Sequence, residues 1–178
     1  MLRIYRKARS PHITCIQPNF YYPRLFFDGC SKGNSGFAGA GAHILVPDST
    51  INLDSGHITV PYSFLLHQSL PGYSEIWADS KYLGSSVTNN CAEYSALILG
   101  LEAAIENQID TLDVYGDSIL VIQQMKNFYK VKNPNLLSLH EKASLLSKHF
   151  HSITYTHVLR QHNKRADSLA NNALQNIP

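Results

Sequence analysis

The chain is short of the features that mark several common protein classes. It has three cysteines, Cys15, Cys30 and Cys91, an odd number with no C-x-x-C pair. That pattern argues against a disulfide framework or a cysteine zinc site and fits a reducing compartment. Nine histidines are scattered without H-x-x-x-H spacing, so they suggest no metal cluster. No apolar run approaches the ~20 residues that a membrane-spanning helix needs. Negative charge is missing from the start altogether. All 13 acidic residues lie at Asp28 or later, whereas Arg3, Arg6, Lys7, Arg9 and Arg24 precede it. "MLRIYRKARS" therefore reads as a mitochondrial-type targeting segment, as a basic arm for nucleic acid, or as an untidy terminus. The remainder holds ten basic residues against 13 acidic ones. Such a body is no basic patch, and a polyanion it grips needs local chemistry or a cation.

What is present suits one soluble domain. The chain has 178 residues, 44% of them hydrophobic and 16% charged, enough for a sizeable core. "RLFFDG" (24–29) and "FAGAGAHILV" (37–46) read as strands around a glycine-rich turn, "CSKGNSGFAG". Residues 47–74 are polar and dotted with Pro and Ser, and their structure is not legible. "YSEIWADSKYLG" (73–84) reads as a third strand, "IDTLDVYGD" (109–117) as a fourth and "SITYTHVLR" (152–160) as a fifth. Helices are expected from Asn90 to about Asn107, over "DSILVIQQMKNF", over "NLLSLHEKASLLSKHF" and over "NKRADSLANNALQN". The last of these puts Ala166, Leu169, Ala170, Ala173 and Leu174 inward. Three strands, then helix, strand, two helices, strand and helix make an α/β domain with a mixed sheet.

Four carboxylates occupy special places in this order. Asp28 falls at the end of the first strand, Glu93 opens the first helix, Asp117 lies between the fourth strand and the second helix, and Asp167 is in the first turn of the last helix. Each has a local explanation. Asp28-Gly29 suits a turn, and Asn90 to Glu93 suits a capping box. Asp117 suits an N-cap, and Asp167 favours the positive end of its helix dipole. Yet Glu93 shares a face with Ala96, Leu97, Gly100 and Leu101, a stripe that should meet the core. Strand ends in open α/β sheets are where ligand crevices form, and these helices would bring all four acids toward one edge. Like charges held close and partly buried are relieved by raised pKa values or by bound cations. Oxygen-only ligands point to a hard ion, Mg²⁺ or Mn²⁺, and to metal-assisted displacement at a phosphodiester.

The blocks "FFDGCSKGNSGFAGAGAHI", "TNNCAEYSALILGLEAA", "VYGDSILVIQQ" and "NKRADSLANNAL" resemble, in order, the four signature blocks of the type 1 ribonuclease H family. The resemblance covers roughly residues 24–176, with 47–74 as an unmatched insertion. It implies a ribonuclease H-like fold, a mixed five-stranded sheet flanked by helices. It also implies two Mg²⁺ ions, with Mn²⁺ as an alternative, and endonucleolytic hydrolysis of the RNA strand of RNA–DNA hybrids. The products would carry 5′-phosphate and 3′-OH ends. Asp28, Glu93, Asp117 and Asp167 match the family's catalytic metal-binding acids, with Asp28 bridging both ions and Glu93 reaching toward the ribose 2′-OH. Asn34, Thr88, Asn89 and Asn90 match its substrate contacts.

Two departures stand out. The family's common form carries a histidine in a glycine-containing loop before the last acid, and here that segment is shortened to "RQHN" (160–163). His162 is the nearby candidate for product release or proton transfer, with solvated surface as the alternative. Arg160 and Asn163 resemble a branch without the loop, in which an arginine meets the substrate. The basic protrusion of some members is also missing, since "FYKVKNPNLL" passes directly between helices. Affinity then rests on Lys32, Lys126, Lys130, Lys132 and the basic arm. The domain organisation expected is a basic extension (1–23) followed by the catalytic domain (24–178). The protein is expected to be a monomer without a membrane partner, cytoplasmic or nuclear, or mitochondrial if its start is a targeting segment. Competing readings are a DNA-acting nuclease or resolvase of the same fold, and a non-catalytic hybrid-binding domain from a reverse-transcriptase-like element.

Overall fold

The glycine- and alanine-rich blocks near the start form a hairpin. Strand β1 (Arg24–Ser31) runs antiparallel to β2 (Gly36–Pro47), with Asp28 opposite Gly41 and Phe26 opposite His43. These coordinates are a computed structural model that describes residues 22–48 and 72–175. The basic start and most of the 47–74 stretch lie outside the described residues. Strand β3 (Tyr73–Val87) pairs antiparallel with β2. On the other side, β4 (Thr111–Gly116) lies parallel to β1, and β5 (Ser152–His157) parallel to β4. The strand order is β3-β2-β1-β4-β5, the mixed five-stranded sheet expected.

Strand alternation sends two sets of side chains to opposite faces. Leu25, Phe27, Ala40, Ala42, Ile44, Leu112 and Val114 join the larger core. Helix α1 (Asn89–Glu106) covers that face with Leu97, Leu101 and Ala104, and packs in turn on α3 (Pro134–Ser147). The short α2 (Ile119–Met125) adds Val121, Ile122 and Met125. Phe26, Leu45 and Tyr115 face the other way, under α4 (Lys164–Asn172), where Ala166 and Val158 complete a second cluster. The inward positions expected of the last helix, Ala166, Leu169, Ala170, Ala173 and Leu174, are all buried.

The glycines of β2 set how close α4 comes. A Cβ on Gly41 would lie 2.3 Å from the Ala170 backbone nitrogen, and one on Gly39 would lie 2.2 Å from the Ala170 carbonyl oxygen. The Ala-Gly-Ala-Gly alternation thus gives one face methyl groups for the α1 core and the other face bare backbone for α4. His43 sits on this second face, fully buried and stacked on Phe26 at 5.1 Å. Burial holds its imidazole down at a pKa of about 4, although Glu75 beside it pulls the other way.

Several element ends differ from the expected ones. Helix α1 is capped by Thr88, whose hydroxyl accepts from the Cys91 N–H at 3.3 Å, and not by Asn90. Asp117 does not cap α2; the Ser118 hydroxyl accepts from the Val121 N–H. In both cases a hydroxyl one or two residues from the expected position takes the role. Strand β1 continues three residues past Asp28, because Gly29, Cys30 and Ser31 go on pairing with Ala40, Gly39 and Ala38.

Candidate active site

The register of the parallel pair assembles the first two acids. Phe27 of β1 lies beside Gly116 of β4, so one step further Asp28 and Asp117 are neighbours at the place where β4 ends. Asp28 is therefore a mid-strand residue, corrected from a strand end, and it is buried at 5% exposure. Glu93 arrives from the second turn of α1, also 5% exposed. Its Oε2 accepts a hydrogen bond from the Gly29 N–H at 3.1 Å. The capping-box reading fails here, since Glu93 stands two residues past the position a capping box uses and spends its oxygen on β1. Gly29 is not a turn residue either. A Cβ there would lie 2.1 Å from the Glu93 backbone nitrogen, so only glycine lets α1 approach β1 this closely.

Carboxylate oxygens of Asp28, Glu93 and Asp117 lie within 4.8 Å of one another. Burial, reinforced by Asp117 and Asp167, pushes the Asp28 carboxyl up to about 8, and Arg160 eases it slightly. Burial likewise raises Glu93 well above the carboxylate range, with Asp28 and Asp117 adding repulsion and the Gly29 N–H opposing. Asp167 is less enclosed, at 27% exposure, and stands beside the three in the first turn of α4. Its Oδ1 accepts from the Arg160 guanidinium at 2.5 Å. The cluster is rich in hard oxygen donors, and the Arg160 guanidinium only partly offsets the raising of Asp28 and Glu93.

The remaining expected residues separate into several groups. Thr88 is half-buried at the head of α1, and Asn89 and Asn90 are exposed in its first turn. Asn34 belongs to the short 3-10 turn Lys32–Asn34, and its side chain lies outside the described residues. Arg160 and His162 share a second 3-10 turn, Arg160–His162, leading into α4. Arg160 is exposed at 77% and engaged with Asp167. The His162 Nε2 lies 3.0 Å from the Gln161 amide nitrogen, and the ring is not a member of the acidic group. Asn163 differs most from expectation. It is fully buried, its amide donates to the Phe27 carbonyl at 2.8 Å and to Asp117 Oδ1 at 2.9 Å, and no face of it is open to a substrate. Sequence reasoning did not find the Gly29 N–H as a partner of Glu93. The available signal was the glycine directly following the first acid.

Known proteins share this arrangement of elements. A family model described as reverse transcriptase-like matches residues 74–173. The bifunctional protein Rv2228c of Mycobacterium tuberculosis is 37% identical over 147 residues, 83% of this chain and 34% of that protein. The chain thus spans about a third of that relative's length. The N-terminal RNase H domain of Rv2228c, solved as a fusion with maltose-binding protein, superposes with a TM-score of 0.70 at 33% identity, covering 88% of this chain and 95% of that one. RNase H1 of the halophilic archaeon Halobacterium salinarum gives 0.69 at 33% identity over 88% of this chain and 99% of that one. LC11-RNase H1, from compost, was solved in complex with an RNA/DNA hybrid; it gives 0.66 at 30% identity over 86% and 96% of the two chains.

Proposed function

We propose, on the premise that this chain belongs to the type 1 ribonuclease H family, that it is an endoribonuclease cutting the RNA strand of RNA–DNA hybrids. The observation that carries the reading is the trio Asp28, Glu93 and Asp117, with oxygens within 4.8 Å of one another, the first two buried and Asp117 half-buried. The donor set fits divalent cations. Every ligand is a hard oxygen, and a cation would favour the charged form of Asp28, which burial first, and then repulsion from Asp117 and Asp167, hold up at about 8. Asp28, Glu93, Asp117 and Asp167 are the residues that would hold two ions, Mg²⁺ first and Mn²⁺ as an alternative. When bound there, the ions would supply activation of a water and stabilisation of the leaving oxygen for an in-line phosphodiester displacement.

The chain's own residues do the rest. The Gly29 N–H orients Glu93. We assign Glu93 the contact to the ribose 2′-OH, the group that separates RNA from DNA at the cut. Asn89 and Asn90 are exposed at the N-terminal end of α1, which supports a role for them at phosphate or groove edges. Arg160 is an exposed guanidinium at the rim, suited to a phosphate. Hydrolysis would leave 5′-phosphate and 3′-OH ends.

The test is a substrate panel. RNA–DNA hybrid, RNA duplex and DNA duplex, each end-labelled, are incubated with the chain and Mg²⁺ or Mn²⁺, and the product ends are mapped. Internal cuts confined to the RNA strand of the hybrid support the reading. Cuts in duplex DNA, or an intact hybrid, overturn it.

A further inference from the structure

We propose that Asn163 is a positioning residue that holds the acidic site in shape through its side-chain amide, and is not a substrate contact. Asn163 stands at the N-cap of α4, a position where asparagine ordinarily turns its side chain back onto its own helix. Here it makes no cap hydrogen bond. The amide instead donates one hydrogen to the Phe27 carbonyl and the other to Asp117 Oδ1, at 2.8 and 2.9 Å. The Phe27 carbonyl belongs to the peptide that leads into Asp28. The backbone carbonyl of Asn163 meanwhile accepts from the Asp167 N–H at 3.0 Å. One residue therefore touches the peptide before the first acid, the carboxylate of the third and the backbone of the fourth.

The chemistry of its neighbours fixes the amide's orientation. A backbone carbonyl and a carboxylate can only accept, so the NH₂ end must face them and the side-chain oxygen must turn away. That oxygen, Oδ1, is buried and has no hydrogen-bond partner. A fully buried polar side chain left with an unmatched acceptor is costly, which singles out the two donated bonds as the reason for the placement. The choice of side chain is also informative. A lysine or arginine would donate equally well but would compete with a cation for the carboxylates, and an aspartate would add a fifth carboxyl group. A neutral double donor steers Asp117 without altering the charge of the site. Partners of this kind behind ligating groups typically change metal affinity or activity by about 10–100-fold when removed.

This inference rests on the metal-dependent reading of the site, and the test separates the two. Mn²⁺ binding is measured by titration calorimetry on the full chain, on Asn163→Ala and Asn163→Ser, and on Asn172→Ala, a control at the exposed end of α4. Mg²⁺ dependence, kcat and KM on a hybrid are measured in parallel. Folded Asn163 variants should bind Mn²⁺ about 10-fold or more weakly. Their KM for the hybrid should stay within about twofold, and high metal should recover much of kcat; the Asn172 control should match wild type. Unchanged Mn²⁺ affinity in a folded Asn163 variant, or a KM rise with metal binding intact, overturns the proposal. Failure of the wild-type chain to bind Mn²⁺ at all would instead overturn the reading of the site. If neither variant folds, the Asn163 side-chain NH₂ resonances of the ¹⁵N-labelled wild-type chain decide. Slow exchange with water and a shift on adding Mg²⁺ or on Asp117→Asn support the proposal, and free exchange with no shift overturns it.

Discussion

Asp28 and His43 make opposite claims on pH, because each is buried against its own charged form. The Asp28 carboxyl titrates at about 8 in the folded chain against an ordinary value of 3.8. The folded state keeps a proton that the unfolded state has released, so this contribution to stability is full below about pH 4 and is lost as pH rises toward 8. Glu93 acts in the same direction. His43, lowered to about 4 from 6.5, contributes stability above 6.5 that is lost as pH falls toward 4. Between about 6.5 and 8 the carboxylates alone set the slope. Thermal unfolding in a chelator should therefore give a midpoint that declines from pH 6.5 to pH 8. Asp28→Asn should flatten that decline and raise the midpoint at pH 8; a wild-type midpoint that is flat or rising over this range would contradict the account. At this scale the sequence was most readable for the acids, each tied to a motif. It was least readable for Asn163, because an asparagine before a helix is equally consistent with capping its own helix and with reaching a neighbouring strand. Only packing decides between those.

At the scale of elements, the site is a meeting of two strands and two helices brought close by glycines. Gly29→Ala would put a methyl group 2.1 Å from the backbone of α1, and Gly41→Ala would put one 2.3 Å from the backbone of α4. Neither contact is with a flexible side-chain end, so backbone must move, at a cost of about 1–3 kcal/mol. Gly41→Ala pushes α4, which carries Asp167 and adjoins Asn163, and should lower stability and hybrid cleavage together. A change at an exposed position of the same helix, Asn172→Ala, should lower neither; denaturant midpoints and initial rates measure both. Removing the Thr88 hydroxyl by Thr88→Val should destabilise α1 by about 1 kcal/mol through loss of its cap, read as a lower urea midpoint. The element order was legible because periodicity and turn residues alternate cleanly. Boundaries were not, since a hydroxyl one or two residues away took each expected cap and β1 ran on past its glycine to complete its pairing.

Across the whole molecule, positive charge is spread thinly. From Ser118 to His140 the chain has no acidic residue, and this segment carries Lys126, Lys130 and Lys132, all exposed. Binding of a hybrid should therefore be salt-sensitive. KM should rise steeply with salt, and Lys130→Ala with Lys132→Ala should reduce the slope of log KM against log salt by about 1–2, as loss of one or two phosphate contacts requires. Equal slopes would place those lysines outside the interface. The mixed sheet and its helices followed from the alternation of strand and helix patterns, whereas residues 47–74 carried no periodic signal from which to place them. Among the described residues no helix is long and apolar enough to cross a membrane. Asp28, Glu93, Asp117 and Asp167 together make up the divalent-cation site proposed to cut RNA paired to DNA. The most direct measurement is the rate of hybrid cleavage against Mg²⁺ concentration for the wild-type chain and for Asp117→Asn. The account predicts saturable, Mg²⁺-dependent cutting by the wild type and a rate near background for the variant; cutting in chelator, or an Asp117→Asn rate equal to wild type, would contradict it.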